Sequence, residues 1–269
     1  MSYNYYLKFD YSTPECFLQK CSEKSSLIIG TGPSTKKILK YLKYLKDIFD
    51  VIIGVNFAIV DFEYILDFHM VMENKPTGIT DYFKKIKSRK DLPRIFNYMS
   101  LRWLPKDLNI YKAIRWNFSG RPDVRKYKTE DGEGLFAGYH KKQFSNFGCV
   151  SLQALHFAGI LGCSKAYTIG MDFVFGKDQK YYLGYTGKDH KKEITDAIVI
   201  PKNIVDVELN GEKRQTYYEY KETAEWMNRF IKEECVPNGM GVYDFSGGLL
   251  MEAKQLDIDE FMEGVEEDG

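Results

Sequence analysis

The residues that could do chemistry collect around one short stretch, Ser26-Leu27-Ile28-Ile29-Gly30-Thr31-Gly32-Pro33-Ser34. Three apolar residues are too few for a helix and are bounded by turn formers, so they read as a buried strand. Gly30 and Gly32 allow a tight turn and a close approach of backbone to a ligand. Ser34 has the chemistry of an N-cap, and the spacing of Ile38, Leu39, Leu42, Leu45 and Phe49 predicts one amphipathic helix after it, with lysines on its outer face. Strand, glycine turn and helix start make a place for an anion such as a nucleotide phosphate. The same pattern also serves as a plain strand-to-helix turn. It lacks the third glycine of the dinucleotide fingerprint and the Gly-Lys-Ser/Thr ending of a P-loop.

Other polar residues fall at the ends of apolar runs. Val51–Val55 ends in Asn56, and the run from Phe68 ends in Glu73-Asn74. Further runs at 94–99 and 110–116 precede a glycine-punctuated, charged and aromatic excursion at 117–144. Ser145-Asn146-Phe147-Gly148 then reads as a turn opening an apolar helix, Cys149 to Leu161, stopped by Gly162. Lys165–Ile169 leads to Asp172, and a second excursion spans 173–215. Asn210-Gly211 between alternating runs predicts a type I′ hairpin over 205–217. A helix over 219–234, a strand over 241–246, and an acidic tail over 251–269 with a short helix complete the chain.

Strands alternating with helices predict an α/β fold: a Rossmann-like, doubly wound and mostly parallel sheet over 26–250, with an inserted lid at 173–215 and a peripheral segment at 1–25. Ligands of such sheets bind outside the carboxyl ends of the strands. That rule gathers Gly30, Thr31, Gly32, Pro33, Ser34, Asn56, Asn74, Ser145, Asn146, Gly148 and Asp172 on one rim as nucleotide- and substrate-binding candidates. Each, taken singly, is also an ordinary capping or turn residue. Of the four histidines, His69 within a strand and His156 within an apolar helix read as structural. His140 and His190 lie in the excursions, where either could act as a general base or stand exposed on a loop.

Composition narrows the partners. Lys and Arg total 38 and Asp and Glu total 38, so no global basic field favours nucleic acid or an acidic membrane. No apolar run is long enough to span a bilayer. Five cysteines without paired spacing predict reduced thiols and a cytoplasmic chain that could visit the inner membrane surface. There is no His-Glu-x-x-His or Cys-x-x-Cys, so no dedicated metal is expected.

Four blocks in order carry a family resemblance: Ile29-Gly30-Thr31-Gly32-Pro33-Ser34, Gly54-Val55-Asn56, Asn146-Phe147-Gly148 before an Ala-containing helix, and Tyr167-Thr168-Ile169-Gly170-Met171-Asp172-Phe173. The chain resembles the bacterial sialyltransferases of glycosyltransferase family 42. It equally resembles the domain-of-unknown-function-115 group, which includes motility accessory factors and 6-hydroxymethylpterin diphosphokinase-like proteins. The resemblance implies a Rossmann-like domain with a lid and transfer of an acidic sugar from a CMP donor to a glycan hydroxyl, with no cofactor required. It puts the Gly30–Ser34 turn and Asn56 on CMP, and Asn146 and Gly148 near the donor. Lid tyrosines Tyr181 and Tyr182 would assist phosphate departure, and His190 would serve as base. The sequence departs from family 42 in having Thr216-Tyr217-Tyr218, without a histidine, before the helix at 219. Two alternatives follow: a magnesium- and ATP-dependent pyrophosphokinase, or a nucleotide-binding module without catalysis. An oligomer is compatible with all three.

Overall fold

The computed structural model describes residues 20–71, 89, 91–97, 110–115, 143–144, 149–174 and 204–268. Within them lies a nine-stranded sheet: β1 Ser25–Ile29, β2 Val51–Val55, β3 Phe68–Val71, β4 Arg94–Asn97, β5 Ile110–Arg115, β6 Gln143–Phe144, β7 Lys165–Ile169, β10 Gly241–Asp244 and β11 Lys254–Gln255. Its order is β11-β10-β7-β1-β2-β3-β4-β5-β6. Every neighbouring pair is parallel. The fold is therefore the α/β doubly wound sheet that the sequence predicts.

Parallel strands buried on both faces read as unbroken apolar runs, and β2, Val-Ile-Ile-Gly-Val, is buried at all five positions. Alternation then splits each strand between two cores. Ile28, Ile53, Val55 and Met70 join one; Leu27, Ile29 and Ile52 join the other. On the first face lie α3, Val150–Leu161, and α4, Tyr218–Phe230, which continues as a π-helical turn to Cys235. Gly162 ends α3 at φ 85°, the left-handed stop that its glycine permits. On the second face lie the segment after β1 and α5, Ile258–Asp268.

Three expectations need correction. The single helix predicted from Ser34 to Phe49 is a 3-10 helix, Pro33–Tyr41, followed by a four-residue α1, Leu45–Ile48; a second short helix, α2, Ile59–Phe62, follows β2. The predicted burial pattern holds, with Ile38, Leu45 and Phe49 in the core. Ser34 is not its cap: Gly32 occupies that position, Pro33 opens the helix, and no side chain caps it. The segment 251–269 is not a peripheral tail. It adds edge strand β11 and docks α5 through buried Ile258 and Met262. Phe261 stacks on Phe49 at 6.0 Å, and Tyr167 and Phe245 pack on it. An acidic composition hid this apolar stripe of i, i+3 and i+4 spacing.

The hairpin is present as β8, Ile204–Leu209, paired antiparallel with β9, Glu212–Tyr217. Asn210 and Gly211 carry φ of 53° and 76°, as a type I′ turn requires. Of the lid predicted at 173–215, positions 175–203 lie outside the described residues.

Candidate functional site

The strand order reverses at β1. The chain grows outward from β1 through β2 to β6, then returns to place β7 on the other flank of β1. Beyond the loops that leave β1 and β7, the chain after β1 packs on one face and the chain after β7 on the other, which is where a doubly wound sheet places its ligand-binding crevice. The loops that flank it are Gly30–Ser34 and Gly170–Asp172.

These loops are stitched together. The Gly30 amide donates to the Ile169 carbonyl at 2.7 Å and the Gly32 amide to the Gly170 carbonyl at 2.8 Å, continuing the β1–β7 ladder past the strands. The Ser34 hydroxyl donates to the Asp172 carboxylate at 2.9 Å, and the Ser34 amide donates to it at 3.2 Å. The Ser34 oxygen accepts the Gly170 amide at 3.0 Å. Thr35 donates to the Gly30 carbonyl at 3.2 Å. A Cβ on Gly32 would collide with the Asp172 carboxylate, so the turn comes this close only as glycine.

The anion at the start of the 3-10 helix is thus the chain's own Asp172. A phosphate placed on the Ser34 amide would have to displace it, which revises the phosphate position expected near Gly32 and Ser34. Thr31, 8% exposed, is the turn residue that no hydrogen bond engages among the described residues. Burial pushes the Asp172 carboxyl up to about 6. The Ser34 hydroxyl and amide offset part of that, and the nearby Asp244 carboxylate adds to it. Asp244, at the end of β10 and itself fully buried, accepts the Thr168 hydroxyl at 2.7 Å. Burial raises its pKa as well.

A third loop closes the far side of Asp172. Ser246 accepts the Met171 amide at 3.0 Å, and the Leu249 amide donates to the Asp172 carbonyl at 3.2 Å. A side chain on Gly248 would strike that same carbonyl. Phe173 follows at φ 54°, an uncommon conformation for an aromatic residue. Thr216 at the foot of the hairpin donates to its carbonyl.

Asn56 sits across β1, at the end of β2. Its φ of 48° is left-handed, which asparagine tolerates better than most residues. His69 on β3 holds it there, with Nε2 2.8 Å from the Asn56 carbonyl. A carbonyl only accepts, so the proton is on Nε2. Burial drives the His69 pKa down to about 3, and the Arg94 guanidinium lowers it further, against the opposing pull of the Asn56 carbonyl. His69 is thus the structural residue its strand position predicts. The Asn56 side chain is different: its Oδ1 is buried and has no partner. A buried acceptor left in that state costs about 1–3 kcal/mol. An incoming hydroxyl or amine donor would recover it.

Of the predicted site residues, Gly30, Thr31, Gly32, Pro33, Ser34, Asn56 and Asp172 share this rim. Asn74, Ser145, Asn146, Gly148, Tyr181, Tyr182 and His190 lie outside the described residues. Ser246 and Gly248, which follow β10 at its carboxyl end, join the rim as that end position predicts, while Thr35 and Gly170 are not among the expected rim residues. For Gly170 the available signal is its place beside a strand end, where a glycine marks close approach. His156 is buried against Phe230, as its apolar helix implied. Among the described residues no group of three or more His, Cys, Asp or Glu could hold a metal ion. Among them, too, no helix is long and apolar enough to cross a membrane.

No family model matches the chain, and no curated protein matches it. Among solved structures, one similar structure is the MAf glycosyltransferase from Magnetospirillum magneticum AMB-1. It aligns over 92% of this chain with a TM-score of 0.59 and 17% identity. The fold matches that of a MAf glycosyltransferase. The chain covers 35% of the length of that protein, so the likeness concerns one region of it. At such identity the likeness establishes the architecture, and chemistry has to be argued from the rim.

Proposed function

We propose that this chain binds a nucleotide-activated sugar at the β7–β1–β2 rim and transfers its glycosyl group to a hydroxyl acceptor. The observation that carries the reading is the buried, unpartnered Oδ1 of Asn56 beside the topological switch point. An orphan acceptor there calls for a ligand donor, and a ribose hydroxyl or a base amine supplies one. The fold shared with a MAf glycosyltransferase supports sugar transfer over the other uses of such sheets. The sequence blocks favour a CMP donor carrying an acidic, sialic-acid-like sugar.

In this reading Thr31 contacts the phosphate, because its neighbours' amides are committed to Gly170 and Asp172. Asp172 is a positioning residue that holds the turn open in one shape. Tyr181 or Tyr182 hydrogen-bonds the departing phosphate as charge develops on it, and His190 removes the acceptor proton. Asn74, Ser145, Asn146 and Gly148 complete the donor site. No metal is needed when hydrogen-bond donors stabilise the leaving phosphate. The partners are a nucleotide-sugar and a glycan acceptor, at the cytoplasmic face.

A thermal-shift panel of CMP, CMP-sugars, UDP-sugars and ATP, with and without magnesium, tests this. Stabilisation by CMP and its sugars, independent of magnesium, is expected. At a hundred times the dissociation constant it amounts to about 2.7 kcal/mol. Stabilisation by ATP with magnesium alone would sink the transfer reading in favour of pyrophosphoryl transfer.

A further inference from the structure

Asp172 is a buried carboxylate without a cation. It is 8% exposed, and among the described residues no Lys, Arg or His pairs with it. Its partners are neutral donors, the Ser34 hydroxyl and amide, and the charged group that acts on it is a second carboxylate, Asp244. Taking a carboxylate out of water against neutral donors alone is costly. A serine or an asparagine at 172 would accept the Ser34 hydroxyl without burying a charge. Closing the turn therefore does not by itself call for a carboxylate.

The charge sits where a ligand phosphate is held in other strand–turn–helix units. Ser34 opens the nine-residue 3-10 helix just after Pro33, and the start of a helix carries partial positive charge. Here the chain's own carboxylate takes up that charge. A Cβ on Gly32 would overlap Oδ2 of Asp172, so the carboxylate lies directly against Gly32. Thr31 is the next residue, which puts a phosphate held by Thr31 on the order of 10 Å or less from Asp172.

The donors of the turn are already committed. The Gly30 and Gly32 amides donate to Ile169 and Gly170, and the Thr35 amide donates to the Gly32 carbonyl. The Ser34 amide and hydroxyl donate to Asp172, and the Thr35 hydroxyl to the Gly30 carbonyl. Among the described residues this leaves the Thr31 amide and hydroxyl open. Lys36 and Lys37 stand exposed further along the helix, and Lys37 lies in the field of Asp259 on α5. One phosphate finds a donor on this turn. A second finds none.

We propose that Asp172 sets the number of phosphates on the ligand: its carboxylate fills the anion position of the β1 turn, so the rim accepts a nucleoside monophosphate or its ester and rejects a diphosphate; this rests on the nucleotide-binding reading above. A second phosphate brings more negative charge and either faces Asp172 or displaces it from Ser34. A single phosphate held through Thr31 leaves the Ser34–Asp172 pair intact. For a transferase, the consequence is a donor sugar linked through one phosphate.

The test is calorimetry of CMP and CDP with the full chain at pH 7.5, where Asp172 is ionised, and without magnesium, which would neutralise the second phosphate. Melting temperatures establish that each variant is folded. The unmodified chain is expected to bind CMP about tenfold more tightly than CDP. In Asp172→Asn and Asp172→Ser that preference should shrink to about threefold or less. Ser34→Ala removes the hydroxyl but keeps the charge, and should keep the preference. A merely structural Asp172 would weaken both nucleotides alike and leave their ratio unmoved. A tenfold preference that persists in either folded Asp172 variant overturns the proposal, as does its loss in Ser34→Ala, which would assign it to the shape of the turn. Equal affinity for CMP and CDP in the unmodified chain overturns the selection of phosphate number while leaving nucleotide binding in place. Binding of neither overturns the nucleotide reading, and this proposal with it.

Discussion

The carboxyl ends of β7 and β2 stand on the same rim, one on each side of β1, and they handle buried polar groups in opposite ways. At the β7 end the chain answers most demands itself, one oxygen of Asp244 being the exception. Asp172 takes the Ser34 hydroxyl and amide, Ser246 takes the Met171 amide, and Thr168 serves Asp244. At the β2 end the backbone of Asn56 is pinned by His69 while its side-chain oxygen is left bare. A largely satisfied polar cluster fixes one geometry and has little left to offer a ligand. An unsatisfied one carries a standing cost that a ligand can remove. The difference separates scaffold from contact surface: the β7 corner shapes the crevice, and the β2 corner meets what enters it.

The largest effect should come from breaking the scaffold corner. Gly170 has φ 76°, and a Cβ there would meet Thr35 and lie 2.7 Å from the Gly30 carbonyl carbon. Left-handed strain and backbone overlap together should cost Gly170→Ala about 3 kcal/mol or more in chemical denaturation. A loss under 1 kcal/mol would mean that the β1 and β7 loops are not interlocked as described.

The two corners also differ in how they respond to acid. Asp172 is raised to about 6, so the native state holds its proton more tightly than the unfolded chain. Its contribution to stability grows as pH falls from above 6 to about 4. His69 is lowered to about 3, so the unfolded chain takes up the proton first. Its contribution is full above about 6.5 and is lost as pH falls toward 3. Between pH 4 and 6 the two slopes oppose one another. Asp172→Asn removes one of them. Its stability should then fall with acid about 1.4 kcal/mol per pH unit more steeply than that of the unmodified chain, or roughly 3 kcal/mol across the window. Parallel stability–pH curves for the two proteins would contradict the buried, ionisable Asp172.

Much of the architecture is legible in the sequence because it rests on local signals. Apolar runs such as Val51–Val55, the Gly162 stop and the Asn210-Gly211 turn each state their structure within a few residues. The Ser34–Asp172 pair joins positions 138 apart, and nothing near Ser34 marks its hydroxyl for a distant carboxylate rather than its own helix. The docking of α5 is hidden for a related reason. Its acidic residues dominate the composition, while three apolar side chains decide where it packs. Asn56 is legible as a strand-end residue, but its orphan oxygen emerges only when the neighbouring strands close around it.

The contact corner should show the smallest change in stability and the most specific change in binding. Asn56→Gly keeps the left-handed backbone accessible and removes only the side chain. Calorimetric titration of CMP into the unmodified chain and into Asn56→Gly tests the central claim most directly. The account predicts binding by the unmodified chain and at least a tenfold loss in the variant, about 1.4 kcal/mol, with the ligand-free melting temperature little changed. Equal CMP affinity in the two proteins would contradict it, and would return the Asn56 oxygen to the scaffold.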